Sequence, residues 1–270
     1  MLYELITYYL GFQHHSGEGK IMGLSAYGRV DEEILPDWCD PEMGLPDVGR
    51  YRNYLAQRHQ PRTDGAPLTQ AHRDLAATVQ SYYERSLVRI ARMLFRSNGC
   101  KRFALAGGVA LNCSGNGELA FQDFVESLFV QPASHDGGTA LGAAILVHHE
   151  LSGDWPLIDF SHAYLGPGYG EYGIRQTLDS AKPCYREVDP VQAIGKALLE
   201  DRVIGLFRGR AEVGPRALGN RVFSQIHKVP QHFAGSLSSR GARVGDRSLR
   251  RYLKNFIRIC SSLRSNHCLC

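Results

Sequence analysis

From Leu75 onward the apolar positions fall three or four residues apart: Leu75, Val79, Tyr82 and Tyr83, Leu87, Ile90 and Leu94. That spacing puts them on one stripe of an α-helix, and Asn98-Gly99 is a pair suited to end it. The period then changes. Residues 102–106 (RFALA) predict a strand that runs into the Gly107-Gly108 pair, and a second helix is expected from about Asn116. Val125 and residues 128–130 predict a second strand, stopped by Gln131-Pro132. SHDGGTALGAAILVHHE then reads as a glycine-rich loop opening a helix of small residues. The order helix, strand, Gly-Gly, helix, strand, Asp-Gly-Gly, helix predicts an α/β fold.

The flanks are less regular. Residues 1–12 predict a short apolar element entering a glycine-rich turn, GEGKIMGLSAYGR (17–29). Residues 30–70, rich in Pro, Gly, Asp and Arg, predict loops and short pieces. The pattern breaks again around residues 153–167, where a boundary is expected. Beyond it, VQAIGKALLEDR (191–202) predicts a helix, VIGLF (203–207) a strand, and RGRAEVGPRALGNR (208–221) a loop. Past Asn220 the periodicity collapses. Three parts are therefore expected: 1–152, 153–225 and a tail over 226–270.

Composition narrows the class. A chain of 270 residues with 43% hydrophobic content can bury a core without a disulfide or metal staple. The seven cysteines are scattered and show no C-x-x-C pair, so free thiols in the cytoplasm are expected. No run approaches the roughly 18 apolar residues of a membrane span, and the opening segment has no basic stretch or cleavage site of a signal peptide. The net charge of +4 divides unevenly: residues 226–270 hold nine Lys/Arg against Asp246 alone, so the rest of the chain is at −4. No aromatic stacking pattern accompanies those arginines, which argues against nucleic acid as a partner.

Four segments carry the candidate chemistry. In GEGKIMGLSAYGR, Lys20 could neutralise a phosphate or carbamoyl oxygen; the spacing is not that of a Walker A loop, and a structural turn is the alternative. In LAGGVALN (105–112), Gly107 and Gly108 follow a strand and would let backbone approach a ligand, with the Asn112 amide able to read a ribose or base edge; a plain strand–helix turn is the alternative. In HDGGTALGAA (135–144), Asp136 precedes a helix and serves either as a cap or as a ligand to a divalent metal. No two of the eleven histidines lie three or four apart to join it on a helix face. In GRAEVGPRALGNR (209–221), arginines flank Glu212; guanidinium forks match phosphate oxygens, and a solvated basic loop is the alternative.

Taken in order, TYYLGFQHHSGEGKIMGLSAYGR, LAGGVALNCSGNGEL, QPASHDGGTALGAA and GRAEVGPRALGNR resemble the NodU/cephamycin-type O-carbamoyltransferases over residues 1–225. The resemblance implies the C-terminal part of an actin-like (ASKHA) ATPase-fold domain followed by the start of a YrdC-like α/β domain. It implies ATP and carbamoyl phosphate as co-substrates, carbamoyl adenylate as the carrier, a divalent metal (iron in the family), and a small-molecule hydroxyl acceptor. Gly107, Gly108 and Asn112 would face the adenylate, Asp136 would bind metal, and Arg216 and Arg221 would act on carbamoyl phosphate, with Lys20 on a phosphate or carbamoyl oxygen. In the family a His-x-x-x-His metal pair and a first phosphate loop precede the segment matching Met1, and GPRALGNR continues differently from the VFSQIHKVPQHFAG found here. The chain is therefore expected to be a fragment, inactive alone, with residues 226–270 arising from a frame shift. Two rivals stay open: another actin-like-fold enzyme, such as a sugar or carboxylate kinase or a threonylcarbamoyl transferase relative, and a non-catalytic ATP-binding chain that completes a site in trans. A homo-oligomer is compatible with all three.

Overall fold

The structure, a computed structural model, describes residues 2–13, 17–40, 45–58, 60–63, 65–200 and 202–224. The expectation for the tail falls outside these residues. The chain divides into two compact units, one from Met1 to Pro156 and one beginning at Leu157.

The first unit is organised by one long helix. Helices α1 (Leu2–Tyr9), α2 (Glu18–Ser25) and α3 (Val48–Arg58) precede α4 (Gln70–Asn98), which covers the stripe predicted from Leu75. Thr69 caps α4 with its side chain on the His72 N–H, and the His72 ring accepts the Thr69 N–H in return. At the other end Gly99 takes the left-handed conformation and closes the helix onto Phe95. The first half of α4 buries Leu75, Ala76, Val79 and Tyr82 against Ile6, Leu10, Ile21, Leu35, Tyr51 and Leu55. Its second half buries Ala91 with Leu119 and Phe124, flanked by Leu87, Phe95, Phe103 and Leu128. One helix thus joins the N-terminal helices to the sheet.

That sheet has two parallel strands, β1 (Arg102–Leu105) and β2 (Ser127–Val130), paired in register from Arg102 opposite Ser127 to Leu105 opposite Val130. Between them lie a 3-10 turn (Gly108–Leu111) and α5 (Cys113–Ala120); after β2 come a 3-10 turn (Asp136–Gly138) and α6 (Thr139–Ser152). This is the predicted α/β succession. No residue of α6 is buried, although its sequence is mostly apolar.

In the second unit, α7 (Glu171–Ala181) and α8 (Pro190–Leu199) precede an antiparallel pair, β3 (Ile204–Phe207) and β4 (Arg221–Ser224). Ile194 and Leu198 of α8 pack with Val191, Ile204 and Leu206. Asp189 caps α8 through the N–H groups of Val191 and Gln192, ahead of proline at the first helical position.

Four local expectations need correction. The glycine-rich stretch after residue 17 is not a turn but α2, because Ile21 has a fully buried place in the core beside α4. The 30–70 stretch contains α3, anchored by buried Tyr51 and Leu55. Helix α7 lies between the pattern break at 153–167 and the helix expected at 191–202, where no element was expected; none of its residues is buried. Arg221 opens β4 rather than closing a loop.

Candidate functional site

Because β1 and β2 are parallel and in register, the loops that leave their carboxyl ends start side by side. Gly107 N–H donates to the Ser134 carbonyl at 2.7 Å and ties the two loops together. Gly107 has φ +93° and ψ 165°, a conformation closed to L side chains. A Cβ built there, or at Gly108, meets nothing within 4 Å, so the backbone has an open side that a ligand could approach. The first turn after Gly107 is helical, and N–H groups at such a start favour anions.

On the other loop, the carbonyl of Asp136 accepts the Thr139 hydroxyl at 2.6 Å, and the Asp136 side chain is exposed. The helix after it starts from Gly138 without a side-chain cap, so Asp136 is not the cap of α6. Upstream, Ser134 is buried. Its hydroxyl, both amide atoms of Gln131 and Nδ1 of His135 are shielded and have no hydrogen-bond partner. Four such unpaired atoms within one loop are costly, and mark it as unusual.

Asn112 lies differently from the expectation. It is 9% exposed, and its Oδ1 caps α5 by accepting the Gly115 N–H at 3.0 Å. The amide is also paired with Gln80: Gln80 Nε2 donates to Asn112 Oδ1 at 3.1 Å, and Asn112 Nδ2 donates to Gln80 Oε1 at 2.9 Å. Both lone pairs of its oxygen and one of its two N–H donors are used in this way. Lys20 is exposed on α2 with its ammonium 5.5 Å from the Phe12 ring centroid. Helix α2 does reach the α5 start, where the Cys113 thiol donates to Met22 Sδ at 3.7 Å.

The arginine loop belongs to the second unit. Glu212 organises it, accepting the N–H groups of Leu218 (2.6 Å), Asn220 (3.1 Å) and Arg221 (3.2 Å). Arg221 donates through Nη1 to the Arg208 and Asn220 carbonyls and through Nη2 to Gly209, and stacks 3.6 Å from the Phe207 ring centroid. Arg210 is fixed to the carbonyls of Gly166 and Leu165. Arg221 and Arg210 therefore hold the loop in shape, and Arg216 lies in its exposed Pro215–Leu218 stretch.

The structure thus joins Gly107, Gly108 and the Asp136 loop in one place, and puts Arg216 on a loop of the other unit that leads into β4 at Arg221. Among the described residues no three His, Cys, Asp or Glu side chains come together as metal ligands, so these residues do not by themselves fit a metal site around Asp136. No described helix is long and apolar enough to cross a membrane. Sequence reasoning did not single out Gln80, and named Glu212 without its organising role. Gln80 had a legible signal, a polar residue inside the buried stripe of a helix.

The carbamoyltransferase N-terminus family matches residues 1–145. The chain is 37% identical over 233 residues to nodulation protein NolNO of Sinorhizobium fredii, covering 82% of this chain and 34% of that protein. It is 38% identical over 219 residues to the 3'-hydroxymethylcephem-O-carbamoyltransferase of Streptomyces clavuligerus, covering 75% of this chain and 38% of that protein. Nodulation protein U of Bradyrhizobium diazoefficiens is 29% identical over 221 residues, covering 75% and 37%. The chain spans less than half the length of these curated relatives. With the family matched over more than half of its residues, the chain belongs to the NodU-type carbamoyltransferases.

Proposed function

We propose that the first unit carries a nucleotide site of an ATP- and carbamoyl-phosphate-dependent O-carbamoyltransferase, with the Gly107–Gly108 turn on the phosphates. The observation that carries this is the Gly107–Ser134 bond, which joins two glycine loops at the carboxyl edge of a parallel strand pair. Ligands of open α/β sheets bind at that edge, where backbone N–H groups and helix starts stabilise phosphate charge. The first unit is then part of an actin-like domain, and the second the start of a YrdC-like one.

In such a reaction the acceptor hydroxyl oxygen attacks the carbamoyl carbon of carbamoyl adenylate. The bond from that carbon to the phosphate oxygen breaks, AMP leaves and the hydroxyl proton passes to base or solvent. This chain's share is to bind and orient. Gly108 holds the phosphate through its backbone, Gly107, tied to Ser134, shapes the open turn, Asn112 keeps α5 in place behind them, and Arg216 offers a guanidinium to carbamoyl phosphate from a loop that Glu212 and Arg221 keep rigid. No step is assigned to a metal. Since the relatives are more than twice as long, turnover is assigned to the longer protein and binding to this chain.

Calorimetric titration of the 270-residue chain, first with ATP and then with carbamoyl phosphate, tests the assignment. A saturable ATP isotherm that weakens in Gly107→Val supports it. No ATP binding, or binding that ignores Gly107→Val, overturns it.

A further inference from the structure

Helix α4 presents one polar row to the loop after β1, and none of it belongs to the four motifs. Gln80 is 4% exposed and uses its whole amide. Oε1 accepts the Tyr3 hydroxyl of α1 at 2.8 Å and the Asn112 Nδ2 at 2.9 Å. Nε2 donates to Asn112 Oδ1 at 3.1 Å and to Glu84 Oε1 at 2.7 Å. That same Glu84 oxygen accepts the hydroxyl of Ser114, in the first turn of α5, at 2.6 Å. One residue before Glu84, the Tyr83 hydroxyl donates to the Val109 carbonyl at 3.0 Å, inside the 3-10 turn that follows Gly107. Gly115 of α5 lies so close to the Tyr83 ring that a Cβ there would collide with it. Asn116 Nδ2 returns to the Ala110 carbonyl at 2.7 Å and closes the turn on itself.

We infer that Gln80, locked by Glu84 and Tyr3, is a positioning residue that fixes the Gly107–Gly108 turn through Asn112. The chemistry of the amides supplies the direction. A carboxylate only accepts, so Glu84 forces the Gln80 NH2 toward itself and Oε1 toward the Tyr3 hydroxyl. With Gln80 so oriented, Asn112 has one complementary setting: Nδ2 to Gln80 and Oδ1 to both Gln80 Nε2 and the Gly115 N–H. Flipping Asn112 would set like groups against each other at two contacts and remove the cap of α5. The orientation chosen at Glu84 thus passes through two amides to the first turn of α5 and, through the short 3-10 turn, to Gly107. Burial makes the relay firm, because an unpaired amide there costs far more than a mispaired one at the surface.

The link from the turn to nucleotide rests on the function proposed above; the link from Gln80 to the turn does not. Two measurements on the full chain keep them apart. Hydrogen exchange followed by mass spectrometry over residues 106–116 reads the turn directly. Gln80→Leu should speed exchange there at least tenfold while peptides from residues 84–98 of α4 keep their protection. Glu84→Gln, which retains an acceptor but removes the charge that fixes the amide, should do so by a smaller factor. Tyr82→Phe, on the same helix as Gln80, loses a buried hydrogen bond to the Leu35 carbonyl; it is the control for general destabilisation and should leave 106–116 unchanged. ATP titration of the same proteins should show about a tenfold loss for Gln80→Leu and less than twofold for Tyr82→Phe. Unchanged exchange over 106–116 in both Gln80→Leu and Glu84→Gln overturns the positioning role, whatever ATP does. Altered exchange in a chain whose wild type binds no ATP leaves Gln80 as the loop's positioner and removes the nucleotide reading instead.

Discussion

The Gly107 N–H meets the Ser134 carbonyl at 2.7 Å, and through this bond the ends of two parallel strands share one loop surface. The bond requires Gly107 at φ +93°, which is why a glycine stands there. The site therefore depends on backbone conformation more than on any charged side chain.

Gly107→Ala tests that dependence. Forcing an L residue into this region costs of order 1–3 kcal/mol, so denaturant unfolding of the variant should show a loss in that range. Gly108→Ala should cost less, since Gly108 does not have a positive φ. Equal losses at the two positions would mean that the conformation of Gly107 relaxes freely.

Asn112→Ala removes the α5 cap and strands the Gln80 amide in the interior. Loss of a cap alone is worth about 1 kcal/mol, and an unpaired buried amide adds about 1–3 kcal/mol. Asn112→Asp keeps the capping oxygen but sets a second acceptor against Gln80 Oε1, so it should recover only part of the loss. Urea unfolding of both variants gives the comparison, and full recovery in Asn112→Asp would show that the cap, not the amide pair, is what matters.

Alkaline stability follows from the tyrosines along the core. Burial raises the phenol pKa values of Tyr51 and Tyr82 well above the ordinary value. Burial first, and the Glu84 carboxylate second, push Tyr83 up to about 12. Unfolded phenols lose their protons near pH 10, whereas these keep theirs, so above that pH the folded chain binds more protons than the unfolded one. The phenols' share of stability should be unchanged below about pH 10 and fall between about pH 10 and 12, and Tyr83→Phe should shallow that decline. Thermal melts across that range check it; a decline unaltered in Tyr83→Phe would show that the phenol is not held as described.

The two arginines of the second unit should separate. Arg221 is spent on carbonyls and the Phe207 ring, so Arg221→Ala should lower stability through lost packing as well as lost hydrogen bonds. Arg216→Ala should weaken carbamoyl phosphate about ten- to a hundredfold, the usual range for a lost charged hydrogen bond. Unchanged affinity in Arg216→Ala would make the loop an ordinary solvated one.

The elements that sequence made legible were those with a strong period or a strong stop. Helix α4 shows a full stripe and a Gly99 cap, and β1 and β2 each end at a glycine or proline signal. Helix α2 was missed because glycines at 17, 19, 23 and 28 outweigh its single fully buried anchor, Ile21. Within the site, Gly107 and Gly108 were legible from their place after a strand. The capping role of Asn112 was not, since capping and ligand reading use the same amide, and its partner Gln80 lies thirty-two residues upstream. Glu212 was overshadowed by arginines, although a lone carboxylate among backbone N–H groups is a natural organiser.

A photoactivatable ATP analogue, cross-linked to the 270-residue chain and mapped by peptide sequencing, most directly tests whether the two glycine loops form a nucleotide site. Label concentrated in peptides spanning 105–116 and 131–140, displaced by excess ATP and reduced in Gly107→Val, is the predicted result. Label that falls outside both loops, or that excess ATP fails to displace, would contradict it.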